Sequence, residues 1–193
     1  MRTELSRQFV HLSGLLFVIL AQFVDRKVSI MTFLSFTVFF FLYSWHIRNQ
    51  EKKLSRFMHR VESRFRDFAL GFEREGVRNP FTGAMLFYAG FTLSFLLFPL
   101  PIASASCAML AVGDSLSTIV GIKFGRHKIG KKSLEGSLAC FIFSFAAGSF
   151  FVNPFLALVG AAAASLIELF PRIDDNLTIP LISGLVMLLL TVL

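Results

Sequence analysis

The sequence predicts an all-helical (all-α) membrane protein whose helices form one bundle. Its residues are 55% hydrophobic and only 16% charged, its mean hydropathy is +0.70, and 25 of its 193 residues are phenylalanine. A soluble globule of this length could not bury so much apolar surface. The phenylalanine-rich runs lack the alternation of a membrane barrel, and a helix satisfies its own backbone amides in lipid. We therefore predict one polytopic domain, residues 1–193, with about seven transmembrane helices and one cytoplasmic amphipathic helix.

Seven apolar stretches mark the predicted spans. Two of them (residues 9–45) precede a long polar segment, and five (residues 83–193) follow it. Several are shorter than the roughly 20 residues that a perpendicular span requires. We therefore expect tilt, local thinning of the bilayer or re-entrance for some of them. The stretches are residues 9–24, 28–45, 83–98, 101–122, 137–152, 154–170 and 177–193.

Residues 46–80 form the one long polar segment. Between residues 46 and 75, apolar residues recur at steps of seven, four and three, which places them on one stripe of a helix. We predict a cytoplasmic amphipathic helix and a linker; a coiled-coil helix or a helix packed in the bundle is the alternative. The stripe consists of Ile47, Leu54, Met58, Val61, Phe65, Phe68 and Phe72.

The distribution of basic residues predicts the orientation of the bundle. With a cytoplasmic N-terminus, all of the 19 lysines and arginines except Arg26 and Lys27 face the cytoplasm, which is a strong positive-inside bias. We expect a multi-pass protein with its N-terminus and active site in the cytoplasm, in the plasma membrane of a prokaryote or the endoplasmic reticulum of a eukaryote. The net charge of +7 suits anionic membrane lipids. No recognisable motif supports a nucleic acid partner.

Residues 111–137, AVGDSLSTIVGIKFGRHKIGKKSLEGS, combine an acid in an apolar stretch with a basic loop. Asp114 lies between Gly113 and Ser115. An ionised carboxylate at low dielectric needs a cation or another partner. Mg²⁺ bridging phosphate oxygens is one such partner, because it prefers a few carboxylates plus substrate phosphates to a site built of protein alone.

The loop after Asp114 has the features of an anion-binding site. Its glycines allow close backbone approach, and Ser133, followed by Glu135, predicts the start of a helix whose amides could face an anion. The alternative is a basic loop that only sets the topology. The glycines are Gly121, Gly125 and Gly130, and the basic residues are Lys123, Arg126, Lys128, Lys131 and Lys132.

A second polar cluster, in ELFPRIDDNLTIP, precedes the last span. Glu168 lies near the end of an apolar helix, and Asp174, Asp175 and Asn176 follow. On one interpretation, Asp175 or Asn176 only caps the last helix. On the other, which we favour, these acids lie on the same membrane face as Asp114 and complete a divalent-metal site.

Two further segments place polar residues near this face. In ELSRQFVHLSG, Glu4, Arg7 and His11 lie at helical steps of three and four. Arg7 could clamp a phosphate and His11 could hydrogen-bond a hydroxyl or a carboxylate; an interfacial arginine and a packed, neutral histidine are the alternative. In NPFTGAMLFYAG, Asn79, Thr82 and Gly83 stand at a helix start, which we interpret as a capped turn that approaches the site.

The segment GDSLSTIVGIKFGRHKIGKKSLEGS resembles the signature of the CTP-dependent polyprenol and lipid kinases. This family includes dolichol kinase, phytol kinase and the CTP-using diacylglycerol kinase, and it is distantly similar to the phosphatidate cytidylyltransferases. ELSRQFVH, NPFTGAMLFYAG and IDDNLTIP resemble further motifs of the family, in the same order. The resemblance covers most of the chain outside residues 46–75. Gln8 stands where relatives usually carry a lysine beside the arginine.

The resemblance implies that the γ-phosphoryl group of CTP is transferred to the hydroxyl of a polyprenol or isoprenoid alcohol, dolichol- or phytol-like, with Mg²⁺ as the cofactor. In this hypothesis the metal ligands come from Asp114, Asp174, Asp175 and Glu168, and Glu135 or the remaining aspartate orients the lipid hydroxyl. His11, Thr82 and Gly83 are assigned to the lipid substrate. The residues assigned to the nucleotide are Arg7, Gly113, Ser115, Lys123, Gly125, Lys128, Lys131, Lys132, Ser133 and Asn176.

Two other functions stay open at the level of sequence. A CDP-lipid synthase would share CTP and the metal but would attack the α-phosphate. A small transporter or lipid carrier would use Asp114 to sense protons or ions, although the hydropathy has no inverted repeat that favours it. Dolichol-like, phytol-like, geranylgeranyl-type and diacylglycerol acceptors all stay open for a kinase. The small residues from Gly160 to Ser165 could pack helices closely within one chain or in a homodimer.

Overall fold

The computed structural model describes residues 2–48, 81–170 and 173–192, and within these ranges the chain is almost entirely helical. The all-helical prediction is therefore confirmed. Residues 49–80, which hold most of the predicted amphipathic helix, lie outside the described part. The elements in chain order are α1 (Arg2–Leu20), α2 (Arg26–Arg48), α3 (Thr82–Leu97), α4 (Leu100–Ala108), a π-helical turn (Met109–Asp114), α5 (Ser115–Phe124), β1 (Lys128–Ile129), β2 (Lys132–Ser133), α6 (Leu134–Gly148), α7 (Pro154–Leu169) and α8 (Asp175–Val192).

The helices coincide with the predicted apolar stretches, but their lengths differ. Two helical segments, Arg26–His46 and Leu100–Phe124, are long and apolar enough to cross a membrane by length and composition. The apolar segments of the other described helices are 10–17 residues long. The helical bundle is therefore confirmed, and the number of seven spans stays a prediction.

The described surface carries many large apolar side chains. Phe23, Phe150 and Phe155 are 81%, 85% and 62% exposed, and Met31 and Trp45 on α2 are also exposed. An apolar surface of this extent marks a contact with a membrane or with another apolar partner. It agrees with a protein whose helices contact lipid.

The continuous helix formed by α4, the π-helical turn and α5 lies at the centre of the bundle. Cys107, Met109, Leu110 and Ala111 have no exposed surface. Gly113 is also buried, and a Cβ atom there would collide with the side-chain oxygen of Ser144 on α6. Glycine therefore allows the central helix to approach α6 closely at the turn that carries Asp114.

Successive helices are joined so that one end of the bundle collects the polar segments. This end contains the N-terminal ends of α1, α3, α6 and α8, the C-terminal ends of α5 and α7, and the β1–β2 hairpin. At the opposite end, Arg26 caps the last turn of α3, because its Nε donates to the carbonyl of Phe95 over 2.8 Å and its guanidinium also donates to Phe98 over 2.9 Å. The predicted site residues therefore share one end of the molecule.

The start of α3 differs from the predicted capped turn. The helix begins at Thr82, as expected, but the residue before it is Phe81, which has a φ of 64° and makes no side-chain capping hydrogen bond. Phe81 is buried and its ring packs against those of Phe40 and Tyr43. Packing of this aromatic side chain, and not a polar cap, accompanies the helix start. Asn79, which belongs to the same motif, lies outside the described residues.

Candidate active site

Lys132 lies at the centre of a cluster of carboxylates that we call the Lys132 cluster: Lys132, Asp114, Glu168 and Asp175. Its Nζ donates to Glu168 Oε1 over 2.8 Å and to Asp175 Oδ2 over 3.0 Å, and lies 4.0 Å from Asp114 Oδ1. The four residues come from β2, α7, α8 and the π-helical turn. The structure thus brings together the two acidic segments that the sequence places on one membrane face.

Glu168 is the most deeply buried member of the Lys132 cluster, with 2% of its surface exposed. Besides the bond from Lys132, its Oε1 accepts a hydrogen bond from Ser117 over 3.1 Å, and its Oε2 accepts one from Ser137 over 2.7 Å. Both carboxylate oxygens are therefore hydrogen-bonded, as a buried ionised group requires.

The neighbouring carboxylates keep Lys132 charged. Burial lowers the pKa of Lys132, but the negative charges of Asp114, Asp175 and Glu168 outweigh this effect and raise its pKa above the usual lysine value. Lys132 therefore stays an ammonium ion at neutral pH. Its side chain is still 23% exposed.

The oxygens of Asp114, Asp175 and Asn176 fit the donor preference of Mg²⁺, which takes carboxylate and amide oxygens. Asp175 Oδ1 and Asn176 Oδ1 are buried and accept no hydrogen bond from any described residue. Asp114 is itself 7% exposed. Among the residues that the structure describes, no group of three or more His, Cys, Asp or Glu side chains is placed to hold a metal ion. A site there would be completed by oxygens from outside these side chains, such as those of phosphate.

Asp174 and Asp175 have different surroundings although they are adjacent. Asp174 is exposed, and its Oδ1 accepts the backbone N–H of Asn176 over 3.0 Å, so it caps the first turn of α8. The capping interpretation therefore applies to Asp174 and not to Asp175 or Asn176. Asp175 instead faces Lys132.

The hairpin that carries Lys132 is closed by a two-residue turn and a carboxylate. Gly130 has a φ of +60°, the left-handed conformation that glycine adopts without strain at the first position of such turns. At its base, Glu135 Oε1 lies 2.7 Å from His127 Nδ1, and the backbone N–H of His127 donates to both Glu135 oxygens over 3.2 Å. The hydrogen bond from His127 lowers the pKa of Glu135 to about 2. Glu135, predicted as a candidate base, is therefore an ionised group that holds the hairpin.

The other basic residues of the loop do not join the Lys132 cluster. Lys123, Lys128 and Lys131 are exposed; Lys128 Nζ lies 3.4 Å from the carbonyl of Gly121, and Lys123 lies over the ring of Phe124. They surround the hairpin with positive charge that remains accessible to an anion.

Several small residues assigned to the nucleotide hold the local fold. Ser133 caps α6, because its Oγ accepts the N–H of Gly136 over 3.1 Å, as the sequence predicts. A Cβ on Gly125 would lie 2.7 Å from Ser133 Oγ, so glycine is required for this close approach. Ser115 is buried and its Oγ donates to the carbonyl of Ala111 over 2.7 Å. Ser133, Gly125 and Ser115 therefore stabilise the local fold around the site.

The N-terminal and third-helix motifs border the same region. His11 is buried, with its ring 4.8 Å from that of Phe87, and Ser115 Oγ lies 3.4 Å from the backbone carbonyl of Gln8. Arg7, one residue earlier, is half-buried. A Cβ on Gly83 would lie 4.0 Å from the side-chain nitrogen of Asn176, so the start of α3 does approach the late acidic segment.

Four features of the site were not predicted from the sequence. Ser137 and the pairing of Ser117 with Glu168 have no sequence signal beyond a hydroxyl on a polar helix end. His127 lies within the basic loop and carries no motif of its own. The π-helical turn before α5 also has no sequence signature, although such turns occur often at functional sites.

Comparison with known proteins gives matches to lipid kinases. The chain is 28% identical over 188 residues to an uncharacterised protein of Rickettsia prowazekii, covering 92% of this chain and 90% of that one. It is 30% identical over 139 residues to the CTP-dependent diacylglycerol kinase 1 of Schizosaccharomyces pombe, covering 61% of this chain and 64% of the kinase. It is 33% identical over 142 residues to a probable chloroplastic phytol kinase of Triticum aestivum, covering 61% and 47%.

The matched kinases are longer than the aligned region. The chain spans less than two thirds of the length of each of these two named kinases. No family model matches the chain, and no solved structure does. The resemblance to the CTP-dependent lipid kinases is confirmed by these comparisons, and the more distant one to the phosphatidate cytidylyltransferases stays a prediction.

Proposed function

Because the chain is related in sequence to the CTP-dependent lipid kinases, we propose that it phosphorylates the hydroxyl of an isoprenoid alcohol with CTP. The acceptor in this proposal is a polyprenol or a dolichol- or phytol-like alcohol, and the reaction takes place at the cytoplasmic membrane interface. The observation that carries the proposal is the Lys132 cluster, in which a cation and three carboxylates from four elements meet at one end of an apolar bundle.

The reaction is a direct transfer of the γ-phosphoryl group. The lipid hydroxyl oxygen forms a bond to the γ-phosphorus, the bond from that phosphorus to the oxygen bridging to the β-phosphate breaks, and CDP leaves. The hydroxyl proton passes to a carboxylate. Such a transfer needs positioning and neutralisation of charge more than covalent chemistry from the protein.

Asp114, Asp175 and Asn176 are the groups that would hold Mg²⁺ in this proposal, and their oxygen chemistry supports it. When bound, the ion would supply positive charge to the phosphate oxygens. The buried Asp175 Oδ1 and Asn176 Oδ1, which accept no hydrogen bond from described residues, are the atoms best suited to this role.

The triphosphate would lie against the hairpin. Lys132, which is held by the carboxylates, would supply one positive charge, and the exposed Lys128 and Lys131 would supply two more. Lysine is suited to this task because its ammonium acts as a point charge that tolerates different phosphate orientations.

In this proposal Asp174 accepts the proton of the lipid hydroxyl. Glu135 is bonded to His127 through both oxygens, and Asp175 faces Lys132. Asp174 is exposed at the rim of the site, and its capping bond occupies Oδ1. The lipid would enter between helices from the bilayer and present its hydroxyl at this rim.

Labelled CTP tests the proposal. Purified protein in lipid nanodiscs is supplied with Mg²⁺ and a lipid alcohol, once with γ-labelled and once with α-labelled CTP. We expect the γ-label in the lipid and the α-label in CDP. Transfer of the α-label to the lipid would instead identify a CDP-lipid synthase, and the absence of both would contradict any CTP-dependent transfer.

A panel of acceptors identifies the lipid. Polyprenol, dolichol, phytol, geranylgeraniol and diacylglycerol are compared at equal concentration in the same nanodiscs. The proposal expects a higher kcat/KM for an isoprenoid alcohol than for diacylglycerol. A preference for diacylglycerol would retain the kinase and overturn the choice of acceptor.

A further inference from the structure

We propose that Glu168 is a positioning residue, which holds Lys132 in the nucleotide site and does not itself bind the metal. The inference rests on the proposed function, since it assigns Glu168 a role in the binding of CTP. It also gives Glu168 a role different from that of Asp114 and Asp175, although all three are predicted as metal ligands from the sequence.

The hydrogen bonds of Glu168 account for its charge without a metal ion. Its Oε1 accepts from Ser117 and Lys132, and its Oε2 accepts from Ser137 over 2.7 Å. A carboxylate with two hydroxyl donors and a cation satisfies the requirement for burying such a group. Asp175 differs, because one of its oxygens, Oδ1, accepts no hydrogen bond in the described structure.

The hydroxyls of Ser117 and Ser137 fix the direction of the Glu168 carboxylate. Ser117 lies on α5 and Ser137 on α6, so the carboxylate of α7 is tied to two neighbouring helices. Ser117 Oγ also lies 3.0 Å from the backbone carbonyl of Asp114. Glu168 is therefore an acceptor linked to α5 and α6 beside the turn that carries Asp114, with the Ser117 proton shared between Glu168 and that turn.

Lys132 is held more closely by Glu168 than by the other two acids. The Nζ–oxygen distances are 2.8 Å to Glu168, 3.0 Å to Asp175 and 4.0 Å to Asp114. A long lysine side chain loses considerable rotamer entropy when it is fixed. Glu168 thus places the ammonium before the anion arrives and draws it to the buried side, away from Asp114.

Replacement of Glu168 by glutamine tests this role, because Glu168→Gln removes the charge and keeps an acceptor oxygen for one of the two serine hydroxyls, while the other hydroxyl can accept from the new amide group. We expect the Kd of CTP, measured at equilibrium without lipid acceptor, and the KM for CTP to rise about tenfold, the effect of losing a charge-assisted hydrogen bond. We expect kcat to stay within about twofold and the Mg²⁺ concentration for half-maximal activity to be unchanged. A large increase in that concentration would overturn the proposal and make Glu168 a metal ligand.

A double-mutant cycle tests whether Glu168 acts through Lys132. In the Lys132→Gln background, Glu168→Gln should produce no further change in the Kd of CTP, because the group that it positions is gone. Additive effects of the two substitutions would overturn the proposal. Asp25→Asn, a carboxylate-to-amide change at the opposite end of the bundle, is the matched control and should leave the Kd and KM for CTP unchanged.

Ser137→Ala gives an independent measurement if Glu168→Gln does not fold. It removes one hydrogen bond to Glu168 Oε2 and leaves every charge in place. We expect the Kd of CTP to rise about threefold with an unchanged kcat. An unchanged Kd would overturn the positioning role. A wild-type protein that binds no CTP would instead contradict the proposed function itself, so the two failures are distinguishable.

Discussion

At the scale of single residues, the electrostatics of the site depend on Lys132. It is the shared counter-ion of Asp114, Glu168 and Asp175. Each of these acids lies where an unpaired charge would be poorly solvated. The lysine therefore serves the fold, in addition to the role in anion binding that we propose for it.

Substitutions of Lys132 and of Lys131, its neighbour in the turn, should differ in their effect on stability. Lys132→Met leaves the carboxylates without their common cation, and we expect a loss of about 3 kcal/mol in stability together with a large loss of CTP binding. Lys131→Met removes an exposed charge and should change stability by less than about 0.5 kcal/mol. Thermal unfolding in detergent compares the two. Equal destabilisation by both variants would contradict the central place of Lys132.

The sequence predicts the lysine group but not the difference between its members. Lys131 and Lys132 are adjacent, and the role of each depends on the hairpin: Lys131 follows Gly130 in the turn, whereas Lys132 begins β2 and faces the bundle. The hairpin has two residues in each strand, which is too short for a recognisable alternation of apolar residues. For the same reason the pairing of Glu135 with His127 could not be predicted.

At the scale of elements, the π-helical turn places Asp114 next to α6. Its first residue, Met109, has a carbonyl that accepts a hydrogen bond from Ser144 over 3.3 Å. Gly113 lies against the same serine. The side chain of Ser144 thus provides a hydrogen bond to the Met109 carbonyl in the π-helical turn, and it also limits the size of the residue at position 113.

Gly113→Ala should destabilise the protein by about 1–3 kcal/mol, because the new methyl group meets Ser144 and the backbone of Cys140 in a tightly packed contact. Gly113→Ala combined with Ser144→Gly should recover part of the loss. Gly83→Ala is the matched control for stability, since its methyl group would meet only an ordinary contact at 4.0 Å from Asn176. Thermal unfolding measures all three, and a neutral Gly113→Ala would contradict the close helix approach.

The hairpin should loosen when its carboxylate clamp is removed. Glu135→Gln replaces the ionised acceptor of His127, and we expect faster cleavage by trypsin after Lys128 and Lys131. Cleavage after Lys27, at the opposite end of the bundle, is the internal reference. An unchanged ratio of the two cleavage rates would show that Glu135 does not hold the hairpin.

The helices themselves were predictable because polar or proline-containing segments separate each apolar run from the next. Asn153 and Pro154, for example, cap and begin α7 as a sequence pattern predicts. The π-helical turn could not be predicted, because the sequence of residues 109–114, MLAVGD, has no pattern that distinguishes a π-helical turn from an α-helix. Its Gly113 packs against Ser144 of α6, which is a tertiary contact that the local sequence does not reveal.

At the scale of the whole molecule, the bundle has two ends of different character. One end carries the hairpin and the Lys132 cluster, and the other carries Asp25, Arg26 and the turns between α6 and α7. The convergence of Glu168 and Asp175 with Asp114 was predictable from the alternation of helix directions. Their arrangement around Lys132 was not, because hydropathy gives the end of a helix but not the direction of a side chain.

The predicted orientation can be measured with cysteine labelling. The two native cysteines, Cys107 and Cys140, are buried, so an impermeant thiol reagent should react mainly with introduced sites. We expect Lys131→Cys to be labelled from the cytoplasmic side and Asp25→Cys from the opposite side. Labelling of both from one side would contradict the predicted topology.

We propose that Asp114 belongs to a site for CTP-dependent phosphoryl transfer. The most direct measurement compares wild type and Asp114→Asn for transfer of the γ-label of CTP to an isoprenoid alcohol in nanodiscs with Mg²⁺, with thermal unfolding as the check of folding. This role of Asp114 predicts a folded variant whose transfer rate falls by about 100-fold or more. A folded Asp114→Asn protein that retains full activity would contradict it.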